Sequence, residues 1–97
     1  MYHDIFEVSR WKEKGAQIID VRGPGEYTHG HLPGAVNIPL VQLPNRSDEV
    51  KKPVVLVCTG GNRSGQAAQY LAEQGYEAVA NLMGGTAGWR QHGLPTE

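Results

Sequence analysis

The residue best suited to nucleophilic chemistry in this 97-residue sequence is its single cysteine, Cys58, which directly follows the apolar run VVLV. Two adjacent glycines come soon after it, and the chain then passes into a helical pattern. The first N–H groups of a helix have no carbonyl partner, and glycines let consecutive N–H groups turn inward as a nest for an anion. Such a nest favours the thiolate and lowers the pKa of a cysteine below its usual ~8.5. We therefore predict a reactive Cys58 thiolate, held by an anion-binding loop of Thr59, Gly60, Gly61, Asn62, Arg63 and Ser64.

The spacing of Cys58 and Arg63 separates two chemistries. It is C-x4-R, whereas cysteine phosphatases need C-x5-R, so that a wider loop encloses a phosphoryl group and the arginine grips it through two hydrogen bonds. One residue fewer leaves a smaller cradle. That cradle suits one extra sulfur atom on the cysteine, which is a persulfide anion solvated by backbone N–H groups.

The other side chains of the loop each have a structural and a functional interpretation. Arg63 either binds substrate or ties down loop carbonyls, and the sequence leaves both open. Asn62 is expected to tolerate a left-handed backbone, and Ser64 to cap the helix. Thr59 brings a hydroxyl near the sulfur, and packing alone could account for this residue.

We expect the polar residues outside the loop to have supporting roles. Three charged residues lie close together in the sequence: Asp20, Arg22 and Glu26. We interpret them as an ion-paired corner in preference to a catalytic acid–base group. His29 and His31 flank one glycine, but a His-x-His motif with one cysteine elsewhere is a weak metal-binding pattern. We expect neither a metal nor another cofactor.

Alternating strands and helices must position these residues. Short apolar runs predict buried strands at 17–21, 35–39, 54–58 and 77–82. Helical patterns follow at 9–15, with Ser9 as a candidate cap, and at 64–75 and 86–93. Residues 23–35, rich in Gly and Pro, predict a long loop, and 42–53 a polar connection with a helical turn. The alternation indicates an α/β fold, in which Cys58 lies at a strand's carboxyl end, where such sheets bind ligands.

Several side chains are expected to serve packing only. In the central helical pattern one apolar stripe contains Ala67, Ala68, Leu71 and Ala72. Trp89 and Leu94 are expected to pack beneath the closing segment, and Trp11 on the face of the first helix.

Composition limits the class of protein. The length suits one small domain, which we assign to residues 1–97. The formal net charge is −1 and the nine Lys and Arg are scattered, which argues against nucleic acid as a partner. No apolar run reaches the ~20 residues of a membrane span, and no signal sequence is visible. A lone cysteine cannot close an internal disulfide, so a reducing compartment fits. We expect a soluble, cytoplasmic protein, a monomer without membrane partners.

Three stretches of the sequence resemble the rhodanese-like family of sulfurtransferases: CTGGNR, DVRGPGEYTHGHLPGAVNIP and LMGGTAGWRQHGLP. They occur in the order that the family shows and together span nearly the whole chain. The resemblance implies a three-layer α/β/α fold with a small, mainly parallel sheet of about five strands, the fifth contributed near Ile5 and Phe6. It also implies that Cys58 is the persulfide-forming cysteine.

The loop and the resemblance together predict sulfur transfer. Cys58 would take sulfur from thiosulfate or another persulfide donor and pass it to cyanide, a thiol or a protein acceptor. Many family members that use thiosulfate carry Lys or Arg early in the loop, where this chain has Thr59 and Gly60, so we expect thiosulfate to be a poor donor. The alternatives are a non-catalytic binding or regulatory module, a phosphatase or arsenate reductase, and a redox sensor.

Overall fold

Five parallel strands form one sheet in the computed structural model, which describes residues 2–3 and 7–97. Along the chain they are β1 (Tyr2–His3), β2 (Gln17–Asp20), β3 (Val36–Asn37), β4 (Val54–Val57) and β5 (Val79–Leu82). Their order across the sheet is β1-β5-β4-β2-β3, and each neighbouring pair is parallel. The carboxyl ends of all five strands therefore meet at one edge, with β4 in the middle. The predicted α/β class with a small parallel sheet is confirmed.

The N-terminal edge strand is predicted near Ile5 and Phe6, and both residues lie outside the described ranges. Within the described ranges an edge strand is present at β1, where Tyr2 pairs with Asn81 and His3 pairs with Leu82 of β5. An N-terminal segment therefore does supply the fifth strand of the sheet.

Five α-helices lie within the described ranges: α1 (Val8–Glu13), α2 (Pro24–Thr28), α3 (Leu43–Arg46), α4 (Asn62–Glu73) and α5 (Gly85–Gln91). Short 3₁₀ turns at Leu40–Gln42 and Ser47–Glu49 flank α3, in agreement with the helical turn predicted for the polar connection. None of these helices is long and apolar enough to cross a membrane.

The cap predicted at Ser9 is wrong. Helix α1 begins at Val8 and Glu7 occupies the N-cap position, so Ser9 lies inside the first turn. Val8, the first residue of the helix, is buried in the hydrophobic core, so the helix is already packed at the residue before Ser9.

The long loop predicted for residues 23–35 is also only partly correct, because α2 forms within it. Pro24 suits the first turn of a helix, where its missing N–H is not needed. The Glu26 carboxylate accepts a hydrogen bond from the Gly23 N–H at 3.2 Å and so satisfies the start of the helix. The glycine and proline here mark a helix start within the loop.

Helices cover both faces of the sheet and produce three layers. Along the central strand, Leu56 and Cys58 face one core cluster, whereas Val55 and Val57 face the other. This alternation is the two-residue period of a strand. Helices α3 and α4 contribute to the first cluster, and α1 and α5 to the second. All of β4 is buried, as expected for a strand that is covered on both sides.

Helix α4 packs on the first face through a stripe of buried residues, Ser64, Ala67, Ala68 and Leu71. Their separations of three, four and seven residues keep them on one side of the helix. Ala72, which the sequence assigns to this stripe, is exposed. The stripe instead begins with Ser64, so a polar side chain is buried against the end of β4.

The packing predicted for Trp89, Leu94 and Trp11 is confirmed. Trp89 in α5 is buried in the second cluster, and Leu94 and Trp11 pack against that cluster. The Trp89 indole N–H donates to the Pro95 carbonyl at 2.6 Å. This bond fastens the segment after α5 onto the helix.

The start of α5 packs directly against the backbone of the loop that carries the cysteine. The N–H groups of Thr86 and Ala87 donate to the carbonyls of Cys58 and Thr59 at 2.8 and 3.0 Å. Gly85 permits this approach, because its φ is +56° and a Cβ there would lie 2.3 Å from the Cys58 carbonyl oxygen. Glycine alone lacks that atom and adopts this backbone freely. Helix α5 therefore fixes the direction of the loop carbonyls.

We expect Gly85→Ala to lower the free energy of unfolding by about 2–4 kcal/mol, because it combines a left-handed backbone with an overlap against fixed carbonyls. Gly88→Ala in the same helix is the matched control, since a Cβ there meets nothing within 4 Å. Alanine is a better helix former, so the control should be neutral or stabilising by up to ~1 kcal/mol. Urea unfolding measures both variants, and equal effects would contradict the close contact.

Candidate active site

Cys58 lies one residue beyond β4, at the edge where all the strand carboxyl ends meet. Its residue surface is only 1% exposed, and it belongs to the first core cluster. Three residues, Thr59, Gly60 and Gly61, then lead into α4. The thiol therefore lies where the sequence predicts it, but it is more deeply covered than an open nest would be.

Hydrogen-bond donors nevertheless converge on the sulfur. The Gly61 N–H donates to Cys58 Sγ at 3.0 Å, and Ser64 Oγ lies 3.3 Å from Sγ. Burial raises the pKa of the Cys58 thiol, but the Ser64 hydroxyl and the N–H groups of Ser64, Gly61 and Gly60 outweigh burial and lower the pKa below its ordinary value. The sulfur is thus buried in the fold and stabilised as a thiolate by its polar neighbours.

Asn81 is a site residue that the sequence analysis did not single out. It is buried in β5, where its Oδ1 accepts a hydrogen bond from the Ser64 hydroxyl and its Nδ2 donates to the Gly61 carbonyl at 3.2 Å. The side chain therefore ties the loop to the neighbouring strand. A signal for it exists in the sequence, because Asn81 interrupts the apolar run AVANL, and a buried polar side chain requires partners.

The Ser64 hydroxyl is shared between Asn81 and the sulfur. It carries one hydrogen, which it donates to one acceptor at a time. While it donates to Asn81, its oxygen can accept a hydrogen bond from the Cys58 thiol. When Cys58 is ionised, the same hydroxyl can turn and donate to the thiolate. Ser64 can therefore partner both protonation states of the cysteine.

The backbone roles predicted for Asn62 and Ser64 are wrong. Gly61 is the left-handed residue, with φ of +112°, and it occupies the N-cap of α4, whereas Asn62 is already helical. Ser64 lies in the first turn of the helix, and its hydroxyl contacts Cys58 and Asn81. Glycine takes the left-handed position because it has no Cβ to clash.

Arg63 connects the loop to α2 by an ion pair with Glu26. Its two terminal nitrogens donate to Glu26 Oε1 and Oε2 at 2.7 and 2.9 Å. Thr59 joins the same cluster, because its hydroxyl donates to Glu26 Oε2 at 3.2 Å and lies 3.3 Å from Arg63 Nη2. The guanidinium is thus directed at Glu26 and Thr59, whereas the sequence offered loop carbonyls as its structural partners.

The ion-paired corner predicted for Asp20, Arg22 and Glu26 divides into two separate pairs. Asp20 and Arg22 are buried and joined by side-chain hydrogen bonds of 2.7 to 3.1 Å. Arg22 also donates to the Gly30 carbonyl at 2.7 Å. Glu26 belongs to the other pair, because α2 carries it toward Arg63. The inner pair shapes the end of β2, and the outer pair borders the loop.

The outer pair is neutral at physiological pH. The hydrogen bond from Arg63 outweighs burial and lowers the pKa of Glu26 to about 2. Its stabilising contribution is therefore complete above the ordinary carboxyl pKa of 4.5 and is lost as the pH falls toward 2. The Arg63 and Glu26 side chains are 38% and 43% exposed, so this contribution is at most about 1 kcal/mol.

The two histidines hold the backbone of α2 and the turn after it. His29 Nδ1 lies 2.8 Å from the Gly25 carbonyl oxygen, and His31 Nδ1 lies 2.9 Å from that of Tyr27. The His31 ring also stacks on the Tyr27 ring, with centroids 3.7 Å apart. Among residues 2–3 and 7–97, no three His, Cys, Asp or Glu side chains are grouped so that they could hold a metal ion.

Two clefts flank the loop. One has a volume of about 220 Å³ and is lined by Gly60, Gly61, Asn62, Asn81, Met83 and Gly84. The other, of about 300 Å³, has Glu26 and Arg63 on its border and is otherwise lined by Val21, Gly23, Pro39, Leu40 and Val41. Val21 lies in the same core cluster as Cys58, and Leu40 packs against that cluster. The larger cleft is therefore on the same side of the sheet as the sulfur.

We expect Ser64→Ala to raise the pKa of Cys58, because the thiolate loses its side-chain donor. The variant should also lower the free energy of unfolding by about 1–3 kcal/mol, since the buried Oδ1 of Asn81 loses its hydrogen-bond donor. The rate of iodoacetamide alkylation, measured against pH, reports the pKa. Ser47→Ala is the control, because it removes a hydroxyl from the 3₁₀ turn after α3. An unchanged alkylation midpoint in Ser64→Ala would show that the hydroxyl does not bind the thiolate.

The chain is similar in sequence to a known domain family and to individual proteins. The family model of the Rhodanese-like domain matches residues 6–92. A protein of Allochromatium vinosum named "Sulfurtransferase" is 44% identical over 80 residues, which cover 80% of this chain and 75% of that protein. Protein YqhL of Bacillus subtilis is 50% identical over 76 residues, which cover 76% of this chain and 60% of YqhL.

Solved structures share the whole architecture. A rhodanese-related protein of Thermoplasma volcanium superimposes with a TM-score of 0.89 at 26% identity, and the match covers 99% of this chain and 96% of the other. The human single-domain sulfurtransferase TSTD1 gives a TM-score of 0.81 at 27% identity, with 93% of this chain and 95% of the other covered. With the family match spanning most of the sequence, the chain belongs to the rhodanese-like domain family.

Proposed function

We propose that this protein is a sulfurtransferase that carries sulfane sulfur as a persulfide on Cys58. The observation that carries the proposal is the set of hydrogen-bond donors around Sγ, with the Gly61 N–H at 3.0 Å and the Ser64 hydroxyl at 3.3 Å. These donors lower the pKa of Cys58 and therefore favour the nucleophilic thiolate. The family membership and the name of the Allochromatium vinosum relative support the same activity.

The reaction is a double displacement at sulfur. The Cys58 thiolate attacks the outer sulfur of the donor, so that a new S–S bond forms while the donor's bond to that sulfur breaks. The electron pair leaves with sulfite when the donor is thiosulfate, or with a thiolate when it is a persulfide. An acceptor thiol or cyanide then attacks the terminal sulfur and regenerates the Cys58 thiolate. This is nucleophilic catalysis with a covalent intermediate.

The loop serves both halves of the reaction by electrostatics. Thiolate and persulfide each carry one negative charge close to the N–H groups of Gly60, Gly61 and Ser64. Donors that are already in place need little reorganisation when the charge moves out by one atom. Because the chain has one cysteine, the sulfur must pass to an acceptor outside it, either a small molecule or a protein. A reducing compartment such as the cytoplasm would keep the thiol available.

Sulfur transfer fits this site better than phosphoryl transfer. The loop has four residues between Cys58 and Arg63, and the guanidinium is occupied by Glu26. A phosphatase needs that guanidinium for the phosphoryl oxygens, together with a general acid for the leaving group. The partnering of Arg63 also supports the expectation that thiosulfate is a poor donor, because no free loop cation faces a dianion.

We expect mass spectrometry to find one added sulfur atom on the intact protein after treatment with thiosulfate or with glutathione persulfide, and faster uptake from the persulfide. Cyanide should remove the added mass as thiocyanate. Cys58→Ser, which preserves the shape of the site, should take up nothing. The proposal fails if neither donor adds sulfur while Cys58 still reacts with iodoacetamide, since that result describes a binding module. Hydrolysis of an aryl phosphate that depends on Cys58 would point to a phosphatase.

A further inference from the structure

We propose that Glu26 is a specificity-determining residue, which disfavours sulfur donors with two negative charges next to the transferred sulfur by neutralising the one arginine of the loop. The inference rests on the proposed sulfur transfer and deepens it by naming the donor class. The natural donor, on this view, presents at most one negative charge beside its transferable sulfur. Glu26 acts from α2, outside the loop, and no part of the sulfur transfer itself requires a carboxylate at this position.

The geometry holds the Arg63 charge in place. Both carboxylate oxygens of Glu26 accept hydrogen bonds from Arg63, at 2.7 and 2.9 Å. The hydroxyl of Thr59, the residue next to the cysteine, donates to the same carboxylate at 3.2 Å. The Gly23 N–H donates to Glu26 Oε1 at 3.2 Å. Four donors thus converge on one carboxylate at the border of the larger cleft, and they fix the negative charge beside the loop.

Charges at this edge of the sheet cancel in pairs. Asp20 neutralises Arg22 in the buried pair, and Glu26 neutralises Arg63 in the outer one. The Cys58 thiolate then adds one negative charge that has no ion-pair partner of its own and is stabilised by the Ser64 hydroxyl and the backbone N–H groups of the loop. A dianion approaching this sulfur meets repulsion that a paired arginine offsets poorly, whereas a monoanion meets half of it.

The larger cleft agrees with a donor of low charge. Apart from Glu26 and Arg63, its lining consists of glycine and apolar side chains, Val21, Gly23, Pro39, Leu40 and Val41. Val41 is 85% exposed beside this cleft. An apolar substituent on the donor can contact these side chains, whereas the oxygens of a compact dianion find no polar side chain there besides the ion pair.

The charge of the donor can be varied while the chemistry stays the same. Thiosulfate is a dianion and benzenethiosulfonate a monoanion, and both give their outer sulfur to a thiolate. In each case a bond to Cys58 forms, the donor's S–S bond breaks, and the electron pair leaves with sulfite or benzenesulfinate. Coulomb energy is proportional to charge, so a variant that frees Arg63 should help thiosulfate twice as much, on a logarithmic scale, as benzenethiosulfonate.

We expect Glu26→Gln to raise kcat/KM about tenfold for thiosulfate and about threefold for benzenethiosulfonate, at a pH where Cys58 is ionised in every variant. Glu49→Gln is the matched control. Glu49 forms a similarly exposed ion pair with Arg46, also through two hydrogen bonds. The Glu49 backbone carbonyl accepts a hydrogen bond from Gln17 at the amino end of β2, away from the site. The control removes the same charge and should leave both values unchanged. Equal gains for the two donors, or the same gains in the control, would overturn the proposal.

Alkylation tests the charge selection without any sulfur transfer. Iodoacetate and iodoacetamide alkylate a thiolate by the same displacement but differ by one charge. Glu26→Gln should raise the rate with iodoacetate relative to iodoacetamide by about threefold, and Glu49→Gln should not. An unchanged ratio overturns the role of Glu26, even if the protein takes up sulfur. A changed ratio in a protein that takes up no sulfur overturns the sulfurtransferase function and leaves the charge selection standing.

The natural protein supplies a test that needs no variant. Added salt screens the repulsion between the site and an anionic donor, with a Debye length of about 10 Å at 0.1 M. The value of kcat/KM should therefore rise with ionic strength, and more steeply for thiosulfate than for benzenethiosulfonate. A value for thiosulfate that falls with salt would show that the site attracts the dianion, and would overturn the proposal.

Discussion

The site depends on which way the loop peptides face. In a trans peptide the carbonyl of one residue and the N–H of the next point in opposite directions. The Thr59 carbonyl accepts a hydrogen bond from Ala87 at the start of α5, so the Gly60 N–H of the same peptide points the other way, and it contributes to the lowered pKa of Cys58. Helix α5 therefore orients the Gly60 N–H by binding the carbonyl on the other side of the same peptide. The close contact at Gly85 is what lets this helix approach the loop.

The same packing explains how the thiol of Cys58 can be buried and still have a lowered pKa. Cys58 lies in the core cluster between β4 and α4, where burial alone would keep it protonated. Ser64 belongs to the buried stripe of α4, and Asn81 to the strand beside β4, so the polar groups that offset burial are themselves fixed by the fold. Stability and the lowered pKa of Cys58 are coupled here, because a movement of α4 away from the sheet would remove the donors from the sulfur.

The ion pairs extend this arrangement outward from the thiol. The buried Asp20–Arg22 pair is enclosed by the fold and holds the end of β2 and the Gly30 carbonyl together. The exposed Arg63–Glu26 pair joins the loop to α2 and contributes little to stability, because water screens it. Its consequence is electrostatic: the arginine of the loop carries its own counter-charge. The pair therefore contributes little to folding, but it decides how much of the Arg63 charge an anionic ligand would meet.

Local sequence patterns determined the class of the fold and pointed to Cys58 as the candidate nucleophile. The apolar runs predicted strands, the alternation predicted a parallel sheet, and the glycines after Cys58 predicted a turn, because each of these follows from neighbouring residues alone. The sequence also contained the signals of Pro24 and Asn81, although their meaning depended on partners far along the chain. The partners of Glu26 and Ser64 could not be read from it. Glu26 meets Arg63 across 37 positions and Ser64 meets Asn81 across 17, and only the folding of α2, α4 and β5 around the end of β4 brings those pairs into contact.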